Sequence, residues 1–157
     1  MKKILHIQKV AGIAGSENHL LTLLPQLKNY GYEPTMLILA EKNKPPKDFI
    51  ERMEAAGVST NALFIQGNRD PLLIPRFVSY IRHGGYQLVH THLIHADLYG
   101  TLAAKIAGVK LVVSTRHNDD PFRKLSSISK LIGWTTHFSN HVICISEIFA
   151  RISQKYE

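Results

Sequence analysis

Short apolar runs rich in β-branched residues recur six times along the chain, at residues 3–10, 35–40, 61–65, 87–91, 111–115 and 142–146, each followed by a segment with helical spacing or helix-start signals. This alternation is what a parallel sheet demands, because parallel neighbours are joined by a long crossover, usually a helix. Connecting helices fit 16–29, 47–56, 72–83, 96–107, 123–138 and 146–156, and Gly31, Gly57, Gly84 and Gly108 stand where helices end. The runs LVVST and VICIS read as strands covered on both faces. The predicted architecture is therefore doubly wound α/β. At 157 residues the chain fits one domain, 1–157, able to bury roughly 68–70% of the surface its unfolded form exposes. The segment EKNKPPKDF is its clearest exposed loop, and no internal repeat or second domain is marked.

The first strand gives way to a turn containing Gly12 and Gly15, and an amphipathic run follows. A strand, glycine turn and helix aim unpaired backbone N–H groups and the positive end of a helix dipole above the strand, which favours a phosphate. The glycines permit positive φ and close approach of a ligand, and Ser16 is a good N-cap for a helix beginning near Glu17. A tight βα turn without a ligand is the plainer reading of the same residues.

A formal net charge of +7 biases the surface toward anionic partners. The basic residues are scattered and not interleaved with stacking aromatics, which disfavours nucleic acid. No stretch is long and apolar enough to span a bilayer, and His6, Gln8 and Lys9 interrupt the apolar region an export signal would need, so a cytoplasmic protein is expected. A lone cysteine, Cys144, forms no internal disulfide and reads as a buried small hydrophobe.

Ligands of open parallel sheets bind beyond the carboxyl ends of the strands. The polar residues at those positions are Gly12, Gly15, Ser16 and Glu17 after the first strand and His92, His95 and Asp97 after the fourth. Arg116, His117, Asn118, Asp119 and Asp120 follow the fifth, and Ser146 and Glu147 the sixth. They are expected to converge on one crevice.

The run LVHTHLIHADLYGTLAAKIAGVKLVVSTRHND, then a basic helix, then HVICISE, together with GIAGSE after the first strand, resembles the N-terminal half of retaining glycosyltransferases of family 4, in the GT-B group. The resemblance covers residues 3 to 157. It implies a Rossmann-like, mostly parallel sheet with helices on both faces, forming the acceptor-side domain of a two-domain enzyme. A separate C-terminal domain would bind most of the nucleotide sugar, and this chain alone would be inactive without it. The resemblance gives His117, in STRHN, the place beside the transferred sugar, and Gly12, Gly15 and Ser16 the donor phosphates. A neutral imidazole there can hydrogen-bond a sugar hydroxyl or help stabilise the departing diphosphate. Acceptor contacts fall to Glu17, His92, His95, Asp97, Arg116 and Asn118. The reaction needs no metal or other cofactor, so Asp119–Asp120 reads as a solvated, helix-capping loop. The expected partners are a nucleotide-sugar donor, a glycan or lipid-linked acceptor and the C-terminal domain.

Three features carry alternatives. His90 and His92, two apart on one strand, share a face and with His95 could ligate zinc; the plainer division packs His90 in the sheet and gives His92 and His95 to the crevice. Asp97 and Glu17 could each serve only their helix starts. The stretch 119–141, with Arg123, Lys124 and Lys130 among Phe122, Leu125, Ile128, Leu131, Ile132 and Trp134, fits either a helix over 123–138 packed on the core or one resting on an anionic membrane; exposure of Trp134 separates the two. Among other functions, a nicotinamide dehydrogenase would share the opening unit and could use Glu41 on a ribose, but the turn lacks G-x-G-x-x-G spacing. A non-catalytic module binding a phosphate-bearing or glycan ligand is the remaining class.

Overall fold

The computed structural model describes residues 1–65, 70, 72–117 and 126–156. Six strands and six α-helices alternate: β1 (Lys2–Lys9), α1 (Gly15–Leu27), β2 (Tyr32–Glu41), α2 (Lys47–Ala55), β3 (Ser59–Ile65), α3 (Leu73–Gly84), β4 (Leu88–His92), α4 (Leu93–Ala107), β5 (Leu111–Arg116), α5 (Ser126–Thr136), β6 (His141–Cys144) and α6 (Glu147–Tyr156), with a 3-10 turn at Lys28–Tyr30. All pairings are parallel, and the order is β3-β2-β1-β4-β5-β6. The expected doubly wound, Rossmann-like sheet is thus present.

Two apolar layers hold it together. Leu5 and Ile7 of β1 and Leu37 and Leu39 of β2 pack on one side with Phe77 and Ile81 of α3 and Ala103 and Ala104 of α4. Met36 and Ile38, the intervening residues of β2, pack on the other side with Leu20 and Leu24 of α1 and Phe49 and Met53 of α2. Phe49 and Phe77 are fully buried, and each such side chain contributes about 1.5–3 kcal/mol relative to exposure. Gly100 lets α4 approach the sheet: a Cβ there would lie 3.0 Å from Thr91 Cγ2 and 3.1 Å from Ile7 Cδ1.

Several local expectations are corrected. Gly31, Gly57 and Gly108 end helical segments at positive φ as read, but after α3 that position belongs to Gly85 and Gly84 closes the helix. Helix α4 begins at Leu93, earlier than expected, because Leu93 itself adopts φ 67° and turns the chain directly out of β4. Strand β6 is a partly wet edge in which His141 and Ile143 are exposed and Val142 and Cys144 half-buried, so neither VICIS nor Cys144 is fully enclosed. No helix among the described residues is long and apolar enough to cross a membrane.

The connections fix where a ligand can sit. Chain order runs away from β1 on one side through β2 and on the other side resumes at β4, so β1 and β4 are adjacent strands whose following helices diverge. The crevice at a doubly wound sheet opens at that point, beyond the carboxyl ends.

Candidate functional site

Around this opening stand the turn after β1, the start of α4 and the residue following β5. Gly12 and Gly15 are exposed. Neither has positive φ, and a Cβ at either would meet nothing within 4 Å, so the fold itself does not demand glycine at these two positions. Gly12 also lines a concavity of about 420 Å³ with Ala11, Ile13 and, at the start of α2, Pro46, Lys47, Asp48 and Phe49. The first residue of α1 is Gly15, with Ala14 as N-cap in place of the expected Ser16.

Glu17 explains the shape of the turn. Its carboxylate is buried and accepts hydrogen bonds from Ala14 N–H (3.0 Å), Ser16 Oγ (3.1 Å) and Gln8 Nε2 (2.5 Å). Ser16 Oγ in turn accepts from Gln8 Nε2 at 3.1 Å. Glu17 and the Ser16 hydroxyl therefore tie β1 to α1; an acceptor contact for Glu17 is replaced by this internal role, and what Ser16 retains for a ligand is its backbone.

His117 follows β5, is half-buried, and faces α1, whose exposed His19 ring has its centroid 5.4 Å away. Nε2 of His117 lies 3.1 Å from Nδ1 of His92. Burial and the neighbouring His19 lower its pKa, while Glu17 and Asp97 oppose that shift. The ring is accordingly a neutral hydrogen-bonding group at pH 7.

Beneath His117 the arrangement departs from the crevice expectation. His92 is 0% exposed, and its Nε2 lies 3.1 Å from Nδ1 of His6. The ring forms the layer below the crevice and offers no surface to an acceptor, because strand alternation turns position 92 onto the face that α1 covers. Asp97 and Arg116 are also sealed, and they form an ion pair with each other. Thr91 Oγ1 (2.7 Å) and Ser114 Oγ also donate to Asp97, and Arg116 Nη2 donates to Thr136 Oγ1 of α5 at 3.0 Å. Arg116 thus pins β5 to α4 and α5, and neither member of the pair is presented to a ligand. His95 remains half-buried at the start of α4. Asn118, Asp119, Asp120, Phe122, Arg123, Lys124 and Leu125 lie outside the described residues.

His90 packs in the sheet as read, with Nε2 2.6 Å from Thr115 Oγ1. His6, not His95, completes a trio with His90 and His92 whose ring nitrogens lie within 4.8 Å of one another. In that trio His6 and His92 are hydrogen-bonded to each other and His90 to Thr115, the pattern of packed neutral imidazoles. Burial, reinforced by mutual repulsion of the rings' charged forms, lowers the pKa of His6 and His92 well below the usual value and that of His90 to about 4. His6 and His19 were invisible as site residues: His6 read as a break in an apolar run, although its alternation with Gln8 put two polar groups on one strand face.

On α5, Trp134 is 51% exposed and edge-on to Phe138, and Leu131 is 46% exposed, whereas Ile132 is fully buried. The helix packs on the domain through Ile132 and shows an apolar face outward beside the exposed Lys130.

A family model, Glycosyltransferase Family 4, matches residues 13–157. Comparison with curated proteins finds no match. Among solved structures, Anabaena Alr3699/HepE in complex with UDP and glucose superimposes with a TM-score of 0.77 at 17% identity, over 99% of this chain and 41% of that one. The lipopolysaccharide outer core galactosyltransferase WaaB in apo form gives 0.76 at 15%, over 99% and 42%. The UDP-GlcNAc 2-epimerase of Methanocaldococcus jannaschii gives 0.66 at 14%, over 99% and 42%. The chain spans about two fifths of the length of these proteins, and at such identities the likeness is one of fold: that of N-terminal domains in the GT-B architecture.

Proposed function

The chain belongs to glycosyltransferase family 4, and from that premise we propose that it is the acceptor-side domain of a retaining, metal-independent enzyme that transfers a sugar from a nucleotide-diphosphate donor to a hydroxyl acceptor. The acceptor is a glycan or lipid-linked component of the cell envelope, and the donor is held chiefly by a C-terminal GT-B domain. One observation carries the reading: a half-exposed, neutral His117 stands above a sealed polar layer and across from the N-terminal turn of α1. In such a crevice the first-turn N–H groups, at exposed Gly15 and at Ser16, offset charge on the leaving diphosphate. His117 hydrogen-bonds the sugar as its anomeric bond breaks. Acceptor contacts are assigned to His95 and Asn118, and a nucleoside diphosphate that leaves onto backbone dipoles needs no cation.

HepE is described with UDP and glucose, and WaaB as a galactosyltransferase, which supports a uridine nucleotide as the first donor class to try. The exposed Trp134 and Leu131 beside Lys130 suit peripheral contact with anionic lipid at the cytoplasmic membrane face. The epimerase shares the fold, so the assay must separate two chemistries. Incubation of the domain joined to its C-terminal half with UDP-hexoses and lipid-linked or oligosaccharide acceptors is expected to release UDP only with acceptor present and to give a product of retained anomeric configuration. Interconversion of the UDP-sugar without acceptor dependence would refute transfer.

A further inference from the structure

Three imidazoles run in a line from the interior to the crevice. His6 of β1 pairs in register with His90 of β4, and Gln8 with His92, so His6 and His92 share the strand face that α1 covers. His6 Nδ1 lies 3.1 Å from His92 Nε2, and His92 Nδ1 lies 3.1 Å from His117 Nε2. His6 is 1% exposed, His92 is 0% exposed and His117 is half-buried.

A neutral imidazole has one N–H and one lone pair. His92 uses both nitrogens on other imidazoles, so it donates one bond and accepts the other, and the whole chain runs in a single direction. If it runs inward, His117 Nε2–H donates to His92, His92 Nε2–H donates to His6, and His6 keeps its proton on Nε2. If it runs outward, His6 Nδ1–H donates to His92 Nε2 and His92 Nδ1–H donates to His117 Nε2, and His117 carries its proton on Nδ1. The inner end decides between them. His6 Nε2 is buried with no hydrogen-bond partner among the described residues. Orphaned buried N–H donors are rarer in folded proteins than under-satisfied acceptors, so leaving a lone pair there is the smaller loss.

We propose that His92 and His6 are positioning residues that lock His117 as the neutral Nδ1–H tautomer, with Nε2 held by His92, so that the crevice is given a fixed hydrogen-bond donor. Resting on the glycosyl-transfer reading, this assigns His117 the donation of Nδ1–H to an oxygen of the transferred sugar or of the leaving phosphate, and it removes His117 as a general base. Burial keeps the two inner rings uncharged, so the lock persists at neutral pH.

The test needs neither donor nor acceptor. In the ¹⁵N-labelled full chain at pH 7, long-range ¹H–¹⁵N spectra are expected to show His117 Nδ1 as a pyrrole-type nitrogen and Nε2 as a pyridine-type one, the reverse of histidine in water. In His92→Phe the His117 pattern should revert to Nε2–H, whereas in His6→Phe the orphaned atom becomes His92 Nε2, the same preference leaves a lone pair there, and Nδ1–H on His117 should persist. Nε2–H on His117 in the wild-type protein overturns the proposal and requires no variant to fold. So does an unchanged Nδ1–H in His92→Phe with a native amide spectrum. A locked Nδ1–H in a domain that, joined to its donor-binding C-terminal half, releases no nucleotide from any sugar donor leaves the relay standing and defeats the functional reading instead.

Discussion

Arg116 and Asp97 form an ion pair in which both side chains are sealed, 3% and 2% exposed, so the charge that ends β5 is neutralised inside the domain. Arg116 carries that link onward to Thr136, and Asp97 collects Thr91 and Ser114. Two residues expected at the ligand surface instead hold the crevice floor to α4 and α5.

Removing one partner should therefore be costly. Arg116→Met leaves the Asp97 carboxylate buried without its cation and is expected to lower the unfolding free energy by about 3–5 kcal/mol. The double variant Arg116→Met, Asp97→Leu should recover much of that loss, since no charge is stranded. Urea titration of the three proteins measures the difference. A wild-type midpoint in Arg116→Met would put the guanidinium back in the crevice.

Stability should fall on acidification. His6, His90 and His92 have pKa values lowered in the folded state, chiefly by burial, so the unfolded chain takes up their protons first. Their contribution is full above about pH 6.5, the unfolded value, and declines as pH drops toward the folded values. For His90 that window closes at about 4. At pH 5.5 the sealed rings His6 and His92 are expected to have lost a measurable part of theirs. Unfolding midpoints at pH 7.5 and 5.5 give the slope; a flat profile would mean the rings are hydrated or already charged.

The strands were readable because a parallel sheet forces apolar runs and helices to alternate, and their carboxyl-end residues followed from topology. Depth was not readable. Thr91 and His92 are adjacent, yet one faces Asp97 and the other His6, and only the covering helices decide that both are sealed. The start of α4 was misplaced for a local reason: Leu93 takes a left-handed conformation that costs a non-glycine residue roughly 1–2 kcal/mol, and nothing in LIHAD announces it. The trio partner His6 lies 84 residues from His90 in sequence and became its neighbour only through the β1–β4 pairing.

Gly15 separates demands of the fold from those of a ligand. Its φ is not positive and a Cβ would meet nothing, so Gly15→Ala should keep or raise stability, by up to about 1 kcal/mol through a less flexible unfolded chain. If the turn receives a diphosphate at close range, the same methyl group should weaken donor binding. Calorimetric titration of the two-domain protein with the sugar nucleotide that supports its turnover, beside thermal melts, reads both. Unchanged affinity would remove the turn from the donor site.

His117 is the residue whose loss should separate chemistry from folding. It is half-buried and among the described residues makes one hydrogen bond, to an inner neighbour, so His117→Ala is expected to change unfolding free energy by no more than about 1.5 kcal/mol. A hydrogen bond that strengthens as charge develops in the transition state is worth far more, and in the two-domain protein kcat for sugar transfer should drop by about 10²–10³-fold with the donor KM little altered. Paired measurement of kcat and the unfolding midpoint distinguishes the outcomes. A large fall in stability with a normal kcat in the folded fraction would make His117 a cap on the buried histidine line and nothing more, because a ring that contacts the reacting sugar cannot be removed without slowing the step.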